Sequence, residues 1–492
     1  MSIFRNHLPI MGASGAQATG YTIDQSIRFN DGDSPYMART FGTPTNAKKW
    51  TLSSWAKLAG VTDEASGGVR FLDAGGSAGN DAILSIGSGY AGYEKIYFWD
   101  RTSSSYNWRL ETTALFRDPS AWYHIVFVYD SDNSVSSERM KLYLNGERVT
   151  DFAQEVYPSS GEASRINTAV AHRIGATVYA SSNYSNGYAA EMHFIDGQAL
   201  TPASFGEFKE DTDIWIPKEY TGSYGNNGFK IDGRDSSDLG DDESGNGNDF
   251  TTSGLAAHDQ VLDSPTNNFS TINSVYADNA AAGNAGTLSN GNLQYVGGGS
   301  TFSVKGLTFD LPKSGKWYFE YMIGGSLDGF GFVKQGEQGT MNASNGPGQL
   351  SVAQGGGIQY TGWRNGGSNT TTFADSNTGS PFTAGFIHQV AIDVDNGKFY
   401  YGVKNTYYAA DGGDDGNPSG GTNHMSTFAF STTDVVLLAG NYSGTQYWNF
   451  GQDGTFAGQQ TAQGNSDANG IGNFFYAPPT GYLALCTSNL GS

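Results

Sequence analysis

The stretch Ala121–Gly146, AWYHIVFVYDSDNSVSSERMKLYLNG, decides the fold class. Two runs rich in β-branched and aromatic residues, WYHIVFVYD and RMKLYLNG, are separated by turn-forming Ser, Asp and Asn. This arrangement predicts two antiparallel strands joined by a loop. Both faces of the first run are bulky, which predicts a central strand packed on both sides. A similar hairpin recurs at Phe386–Asn405, FIHQVAIDVDNGKFYYGVKN, and two such hairpins far apart predict two β-sandwich domains.

Composition points to the same fold class. Glycine makes up 69 of the 492 residues, roughly twice its average share, while aromatic residues reach 13% and charged residues only 15%. A chain poor in charge and rich in Gly, Ser, Asn and aromatics is typical of all-β proteins with many turns. Strand-like runs and turn signals alternate at roughly the 8–12-residue spacing of a sandwich. We therefore predict an all-β protein built from two antiparallel β-sandwich (jelly-roll) domains.

The charge balance excludes some partners. The formal net charge is −21, with only 27 Lys and Arg residues, so we expect neither nucleic acid nor an anionic membrane as a partner. No apolar run approaches the roughly 18 residues of a membrane span, so we expect no membrane insertion. Cys486 is the only cysteine, which excludes an internal disulfide and a thiolate zinc site. The N-terminal stretch is a poor signal peptide, and we expect assembly in a cytoplasm.

The domain organisation follows from shifts in composition. We expect an N-terminal arm at 1–20, a first sandwich at 21–224, a connector at 225–300 and a second sandwich at 301–492. The connector is dense in Asp, Asn, Gly and Ser, and its runs GFKID and DFTTS predict two strands that close the first sandwich. Two interpretations of the arm stay open, a frayed terminus and a docking peptide that orders against a partner. The apolar docking residues would be Ile3, Phe4, Leu8 and Ile10.

Several motifs resemble known families. SIRFN, YMART and WTLSSWAKL, followed by AWYHIVFVYD and KLYLNGERV, resemble a concanavalin A/laminin-G-like domain. In the second half, GKWYFEYMI followed by GFGFV resembles the early strands of a SPRY domain. The segments DSPTNNF and FFYAPPTGYLALCTSNL are similar to parts of SPRY-type proteins encoded by marine tailed bacteriophages. The first of these families includes glycan-binding modules, glycosidases and structural jelly rolls, so the resemblance implies a fold and leaves the activity open.

An acidic loop, DLGDDESGNGND, offers hard oxygen ligands of the kind that Ca²⁺ prefers. Its candidate ligands are Asp238, Asp241, Asp242, Asn246, Asn248 and Asp249. The spacing does not match an EF-hand, but laminin-G-like domains often hold calcium at a loop rim, and the resemblance implies such a site here. A solvated turn rich in Asp and Asn is the open alternative. Calcium is the only cofactor that the sequence indicates.

Aromatic residues in loops rich in Gly and Asn are the candidate ligand-binding residues. Aromatic rings stack on the C–H faces of sugars and also anchor protein interfaces. The candidates are Tyr184 in the first sandwich and Tyr360, Trp363, Arg364, Asn365, Tyr442 and Trp448 in the second. Core packing is expected to explain about half of the aromatic residues in these loops.

Catalysis has little support in the sequence. Glycosidases of the concanavalin A-like class typically carry an E-x-D-x-x-E strand motif, which is absent. Glu191 and Asp196 are five residues apart in one predicted strand, so their side chains should face opposite sheet surfaces. We predict that the protein is not an enzyme, with glycan hydrolase as the alternative that two facing carboxylates would support.

The resemblance to proteins of marine tailed bacteriophages implies a phage virion structural protein, which we expect to be a tail fibre or tail-associated adhesin that binds host-surface glycan or protein through sandwich loops. We expect it on the virion surface, attached to other virion proteins by its arm and present as a homo-oligomer or in multiple copies that provide avidity. A capsid-surface decoration or assembly protein, which contacts only other virion subunits, is the alternative.

Overall fold

The computed structural model describes most of the chain. The described residues are 20–60, 68–87, 94–180, 183–276, 286–298, 303–324, 329–335, 355–359, 362–365, 368–372, 383–441 and 444–490, with only the backbone described in 355–372. The fold divides into two compact units, Met1–Asn268 and Phe269–Ser492. Within the described residues neither unit contains an α-helix, and no helix is long and apolar enough to cross a membrane. The all-β prediction is confirmed.

The first unit is built from two packed eight-stranded sheets and one two-stranded sheet. Its strands are β1 (Ser26–Phe29), β2 (Tyr36–Thr40), β3 (Lys49–Leu58), β4 (Val69–Ser77), β5 (Asn80–Ile86), β6 (Ile96–Thr102), β7 (Ser105–Thr112), β8 (Trp122–Asp130), β9 (Met140–Leu144), β10 (Glu147–Arg148), β11 (Phe152–Val156), β12 (Ala171–Ile174), β13 (Gly187–Asp196), β14 (Gly206–Phe208), β15 (Trp215–Pro217), β16 (Phe229–Ile231), β17 (Thr251–Ser253) and β18 (Gln260–Val261). Short 3₁₀ turns lie at Asp31–Asp33, Ser136–Glu138, Arg165–Asn167, Pro202–Ser204 and Ala257–Asp259.

Sheet A has the order β10-β9-β8-β3-β13-β1-β18, with β16 also pairing with β13, and sheet B has the order β11-β7-β6-β5-β4-β12-β2-β17. The hairpin predicted from Ala121–Gly146 forms as β8 and β9, and β8 is the central strand expected, paired with β3 on its other side. Alternate side chains of each strand face the space between the sheets. There Phe98 packs edge-on against Trp50 and Phe127, with ring centroids 5.7 and 5.2 Å apart.

The second unit repeats this plan. Its strands are β19 (Thr287–Ser289), β20 (Gln294–Val296), β21 (Ser303–Gly306), β22 (Lys316–Ile323), β23 (Gly329–Lys334), β24 (Gly355–Gln359), β25 (Gly362–Asn365), β26 (Ser368–Thr372), β27 (Ile387–Asp393), β28 (Lys398–Val403), β29 (Thr406–Tyr408), β30 (Ser426–Thr427), β31 (Val435–Asn441), β32 (Thr445–Asn449) and β33 (Leu483–Ala484). Sheet C has the order β19-β20-β32-β22-β27-β28-β29, with β30 beside β28 and β33 beside β22. Sheet D has the order β21-β31-β23-β24-β25-β26. The hairpin predicted at Phe386–Asn405 forms as β27 and β28.

The segment 225–300, predicted as a connector, supplies strands to both units. The two strands expected within it form as β16 and β17, which pair with β13 and β2. Phe229 and Ile231 alternate with Lys230 and are buried, because they extend the core that β13 begins. Later residues form β19 and β20, and β20 pairs with β32 of the second unit. Strand edges carry unpaired backbone groups, so short pieces of a polar segment gain hydrogen bonds by adding to them.

Candidate functional site

The outward side of sheet B carries a cluster of aromatic and cationic side chains. The sequence IYFWDR of β6 alternates, so Ile96 and Phe98 enter the core while Tyr97, Trp99 and Arg101 face outward. Neighbouring strands add outward residues in register, since Trp99 lies beside Arg109 of β7 and Ile83 of β5. We name this surface the aromatic face. It consists of Ile83, Tyr97, Trp99, Arg101, Tyr106 and Arg109.

The rings of the aromatic face meet edge to face. Trp99 lies 5.7 Å from Tyr97 and 6.0 Å from Tyr106, with interplanar angles of 72° and 69°. Tyr97 and Trp99 are buried, whereas Tyr106 is half-buried and reaches solvent. The guanidinium of Arg109 lies 4.6 Å from the Tyr106 ring, and that of Arg101 lies 5.7 Å from the Trp99 ring. These distances are those of cation–π contacts, which hold the cations against the rings.

Ion pairs fix the cations in place. Asp81 is buried and accepts two hydrogen bonds from Arg101, at 2.6 and 3.2 Å. Glu111 is also buried, and it pairs with Lys95 at 2.7 Å and with Arg109. A bidentate Arg–carboxylate pair has little freedom to rotate. Only Tyr106, Arg101 and Arg109 of the aromatic face are therefore partly exposed, and the two guanidinium groups lie beside the Tyr106 ring and the buried Trp99.

A segment between β12 and β13 is anchored over β4 on the same side of sheet B. Arg70 of β4 donates from Nε to the carbonyl oxygen of Asn183, and its backbone N–H donates to Oγ of Ser185, both at 2.9 Å. Asp73 accepts the N–H of Val178 at 3.0 Å, and burial raises the pKa of Asp73 to about 7. Tyr184, a predicted ligand-binding residue, lies half-buried between the two anchored residues.

The predicted ligand residues of the second sandwich have different outcomes. Trp448 is fully buried, where it stacks against Tyr321 and packs with Phe450, so its assignment to a ligand surface is wrong. Its indole belongs to the core because the strand alternation of β32 turns it inward. Trp363, Arg364 and Asn365 lie on β25, of which only the backbone is described. Two further candidates, Tyr360 and Tyr442, lie outside the described residues, as do the arm residues Ile3, Phe4, Leu8 and Ile10.

The acidic loop uses its oxygens to hold its own turns. One carboxylate oxygen of Asp242 accepts the N–H groups of Lys230 and Ser244, and the other accepts the N–H of Asn248 and the hydroxyl of Ser244. Asp249 accepts the N–H of Asp242. Asn246 and Asn248 turn their amide N–H groups toward backbone carbonyls, while Asp238 accepts from Gly240, two residues on, and Asp241 is exposed.

This arrangement does not fit a calcium ion, because the Asp242 oxygens already receive four donors. In the described part of the chain, no three His, Cys, Asp or Glu side chains group as a metal would require. The turn rich in Asp and Asn accounts for the loop, and the geometry gives the predicted calcium site no support.

A second polar cluster lies on the outward side of sheet A. Glu191 has a left-handed backbone, with φ of 45°, at a bulge between Ala190 and His193. Its carboxylate accepts the hydroxyl of Tyr21 and lies 3.4 Å from His193 and 3.6 Å from Lys230. Asp196 belongs to another network, where it accepts N–H groups from Thr45 and Asn46 at 2.6 and 3.2 Å. The two carboxylates therefore do not face each other, as the strand parity predicted.

A small cavity of about 180 Å³ lies at the open edge between β9 and β11. Met140, Lys141, Arg148, Phe152 and Tyr157 contribute to its wall. Its volume is below the roughly 300–1,000 Å³ of most small-molecule pockets. Lys141 and Arg148 already contact Glu138, at 3.3 and 2.7 Å.

We therefore place the candidate site on the aromatic face. The alternation in IYFWDR is a sequence signal for this face, but the prediction of ligand-binding residues was based on aromatic residues in loops.

Comparison with known proteins supports the assignment of the first unit. Residues 30–204 match the family model described as the concanavalin A-like lectin/glucanases superfamily. No curated protein matches the sequence. One similar solved structure is a putative carbohydrate-binding protein from Bacteroides ovatus, with 17% identity over 47% of this chain and 58% of that chain and a TM-score of 0.30. A second comprises domains LG4-5 of the mouse laminin alpha1 chain, with 10% identity over 99% of this chain and 92% of that chain and a TM-score of 0.27. A third is the SPRY domain of human HERC1, with 11% identity over 33% of this chain and 91% of that chain and a TM-score of 0.24. The family match shows that residues 30–204, within the first unit, are similar to concanavalin A-like domains of laminin G type.

Proposed function

We propose that the protein is a binding protein that recognises a glycan on the aromatic face of its first unit. The observation that carries the proposal is the half-buried ring of Tyr106, held between Trp99 and Arg109 on a rigid sheet. The C–H face of a pyranose would lie against the exposed part of this ring, and the guanidinium N–H groups would donate to its hydroxyls. The strands that build the face lie within residues 30–204, which match a superfamily that contains lectins.

We also propose that binding is not accompanied by catalysis. Glycoside hydrolysis commonly needs two carboxyl groups about 5–10 Å apart that flank the bond to be cleaved. Asp73, Asp81 and Glu111, which lie on the side of sheet B that carries the aromatic face, are all buried and ion-paired. Through these ion pairs the carboxylates orient cationic side chains such as Arg101 and Arg109. This role supports binding without catalysis.

The biological setting is a further part of the proposal. The resemblance of DSPTNNF and of the C-terminal segment to proteins of marine tailed bacteriophages supports a surface protein of the virion, either a tail fibre or a tail-associated adhesin. Multiple copies on one particle would convert weak contacts with a host-surface glycan into avidity. Attachment through the N-terminal arm, and the SPRY-like character of the second unit, belong to the same proposal.

A glycan array with the purified full chain tests the binding function. We expect binding to a restricted set of glycans, and about a tenfold loss of affinity in Tyr106→Ala, the equivalent of about 1.4 kcal/mol. Tyr143→Ala is the matched control, because Tyr143 is also a half-buried tyrosine but lies on β9 of sheet A. If the purified chain binds neither glycans nor host cells, the result would contradict the adhesin function and favour the function in capsid decoration. Equal losses in both variants would remove the aromatic face from the binding site.

A further inference from the structure

Three buried polar side chains meet on the outward side of sheet A, away from the aromatic face. Nζ of Lys57, on β3, lies 2.7 Å from Oδ2 of Asp263 and 2.7 Å from Oδ1 of Asn268. The relative exposures of Lys57, Asp263 and Asn268 are 0%, 0% and 1%. The two acceptors come from the segment DSPTNNF, far along the chain from the strand that carries the lysine.

Two buried aromatic residues and two further hydrogen bonds surround this triad. Trp122 and Tyr188 flank Lys57 in register on the neighbouring strands, and both are buried. The indole N–H of Trp122 donates to Oδ1 of Asp263 at 3.2 Å, which orients the carboxylate. The amide nitrogen of Asn268 donates to the carbonyl oxygen of Ser120 at 2.7 Å. That bond turns the carbonyl side of the Asn268 amide toward the lysine.

An ion pair is costly in such a place, because both charges lose their hydration. The uncharged amine of a lysine is a nucleophile. Proximity favours the reaction further, since the carbonyl carbon of Asn268 lies one C=O bond, about 1.2 Å, beyond the oxygen that Nζ contacts. The neighbouring carboxylate can accept and return the proton.

We propose that Lys57 and Asn268 are joined by an intramolecular isopeptide bond, formed with Asp263 as the proton acceptor and donor. Oδ2 of Asp263 takes a proton from the ammonium of Lys57, and the free amine attacks the side-chain carbonyl carbon of Asn268. Asp263 then delivers the proton to the amide nitrogen of Asn268, and the bond from that nitrogen to the carbonyl carbon breaks. Ammonia leaves with the bonding electron pair, and it carries away the second proton of the former amine as ammonium. The reaction needs no oxidant or other reactant.

The bond would connect β3 covalently to the last residue of the first unit. The strands between Lys57 and Asn268 would lie inside a closed covalent loop, so tension on the chain beyond Asn268 would reach β3 without unravelling them. This property suits a protein exposed to shear, but the cross-link does not depend on what the aromatic face binds.

Mass spectrometry of the denatured full chain tests the proposal. We expect a mass about 17 Da below that of the sequence, the mass of one ammonia, and a tryptic product in which the peptides holding Lys57 and Asn268 are linked. Lys57→Met and Asp263→Ala should each show the full mass. Lys49→Met is the matched control, because Lys49 is another ion-paired lysine on β3 but is partly exposed, and it should keep the deficit.

The wild-type measurement decides the proposal even if a variant fails to fold. A full wild-type mass without a linked peptide would overturn it. A deficit of about 18 Da with Lys57 joined to Asp263, which corresponds to loss of water, would overturn the roles assigned to the two acceptors.

Discussion

Removal of the buried Glu320 carboxylate should destabilise the second unit strongly. Glu320 lies on β22 and is fully buried. It accepts the backbone N–H groups of Phe475 and Tyr476 at 2.8 Å each, and the hydroxyl of Tyr318 at 2.8 Å. The amide of Asn449 lies 3.4 Å away. One carboxylate therefore ties the C-terminal segment to a central strand of sheet C.

The magnitude follows from the donors that Glu320→Ala leaves behind. Each buried donor without an acceptor costs about 1–3 kcal/mol, and two backbone N–H groups would lose theirs. The cavity left by the side chain adds to this cost. Because burial raises the pKa of Glu320 to about 7, part of the penalty of holding a charge disappears in the variant, which offsets the loss. We expect a net loss of about 3 kcal/mol in the free energy of unfolding.

Chemical denaturation at neutral pH measures the loss, and hydrogen exchange locates it. The amides of Phe475 and Tyr476 should exchange faster in Glu320→Ala, since their acceptor is gone. Asp434→Ala is the control in the same unit, because the Asp434 carboxylate is 68% exposed and pairs with Lys313 at 2.6 Å. Such an exposed pair contributes about 0–1 kcal/mol. A loss below about 1 kcal/mol in Glu320→Ala, with unchanged exchange at both amides, would refute the reasoning.

Three further predictions concern the first unit. Burial lowers the pKa of His124 to about 3, so proton uptake by the unfolded state should reduce stability as the pH falls from about 6.5 towards 3. The contribution of His124 to this loss should approach about 2 kcal/mol at pH 5. His124→Gln, measured by urea unfolding at about pH 7 and at about pH 5, should show a correspondingly weaker pH dependence than the wild type. Gly146→Ala should cost roughly 2–4 kcal/mol by thermal unfolding, because φ is +84° and the new Cβ would lie 2.4 Å from the Trp215 ring, while Gly245→Ala, at φ +83° with open space, should cost only about 1 kcal/mol. Calcium addition or chelation should leave Tm unchanged, since Asp242 already accepts four hydrogen bonds, and a rise in Tm with millimolar Ca²⁺ would contradict this.

Local sequence pattern was sufficient for the fold class. The alternation in β8 and the turn residues that follow it specify a hairpin, because side-chain direction in a strand has a period of two whatever the rest of the chain does. The same property explains why IYFWDR already separates Phe98 from Trp99. Strand parity also predicts that Glu191 and Asp196 face opposite sides of their strand, and the two carboxylates do occupy separate networks.

Only the tertiary structure decided which side chains are available. Trp448 and Tyr106 have similar polar neighbours in the sequence, but sheet packing buries the first and leaves the second partly exposed. The polar segment 225–300 gave no strong strand signal over most of its length, and its pieces became strands because the two units offered edges to pair with. Lys57, Asp263 and Asn268 meet only because the register of β3 and the turn that follows β18 bring them together. Local pattern specifies the strands. The contacts between residues distant in the chain form only in the assembled sheets, because the packing and hydrogen bonding that stabilise these contacts exist only there.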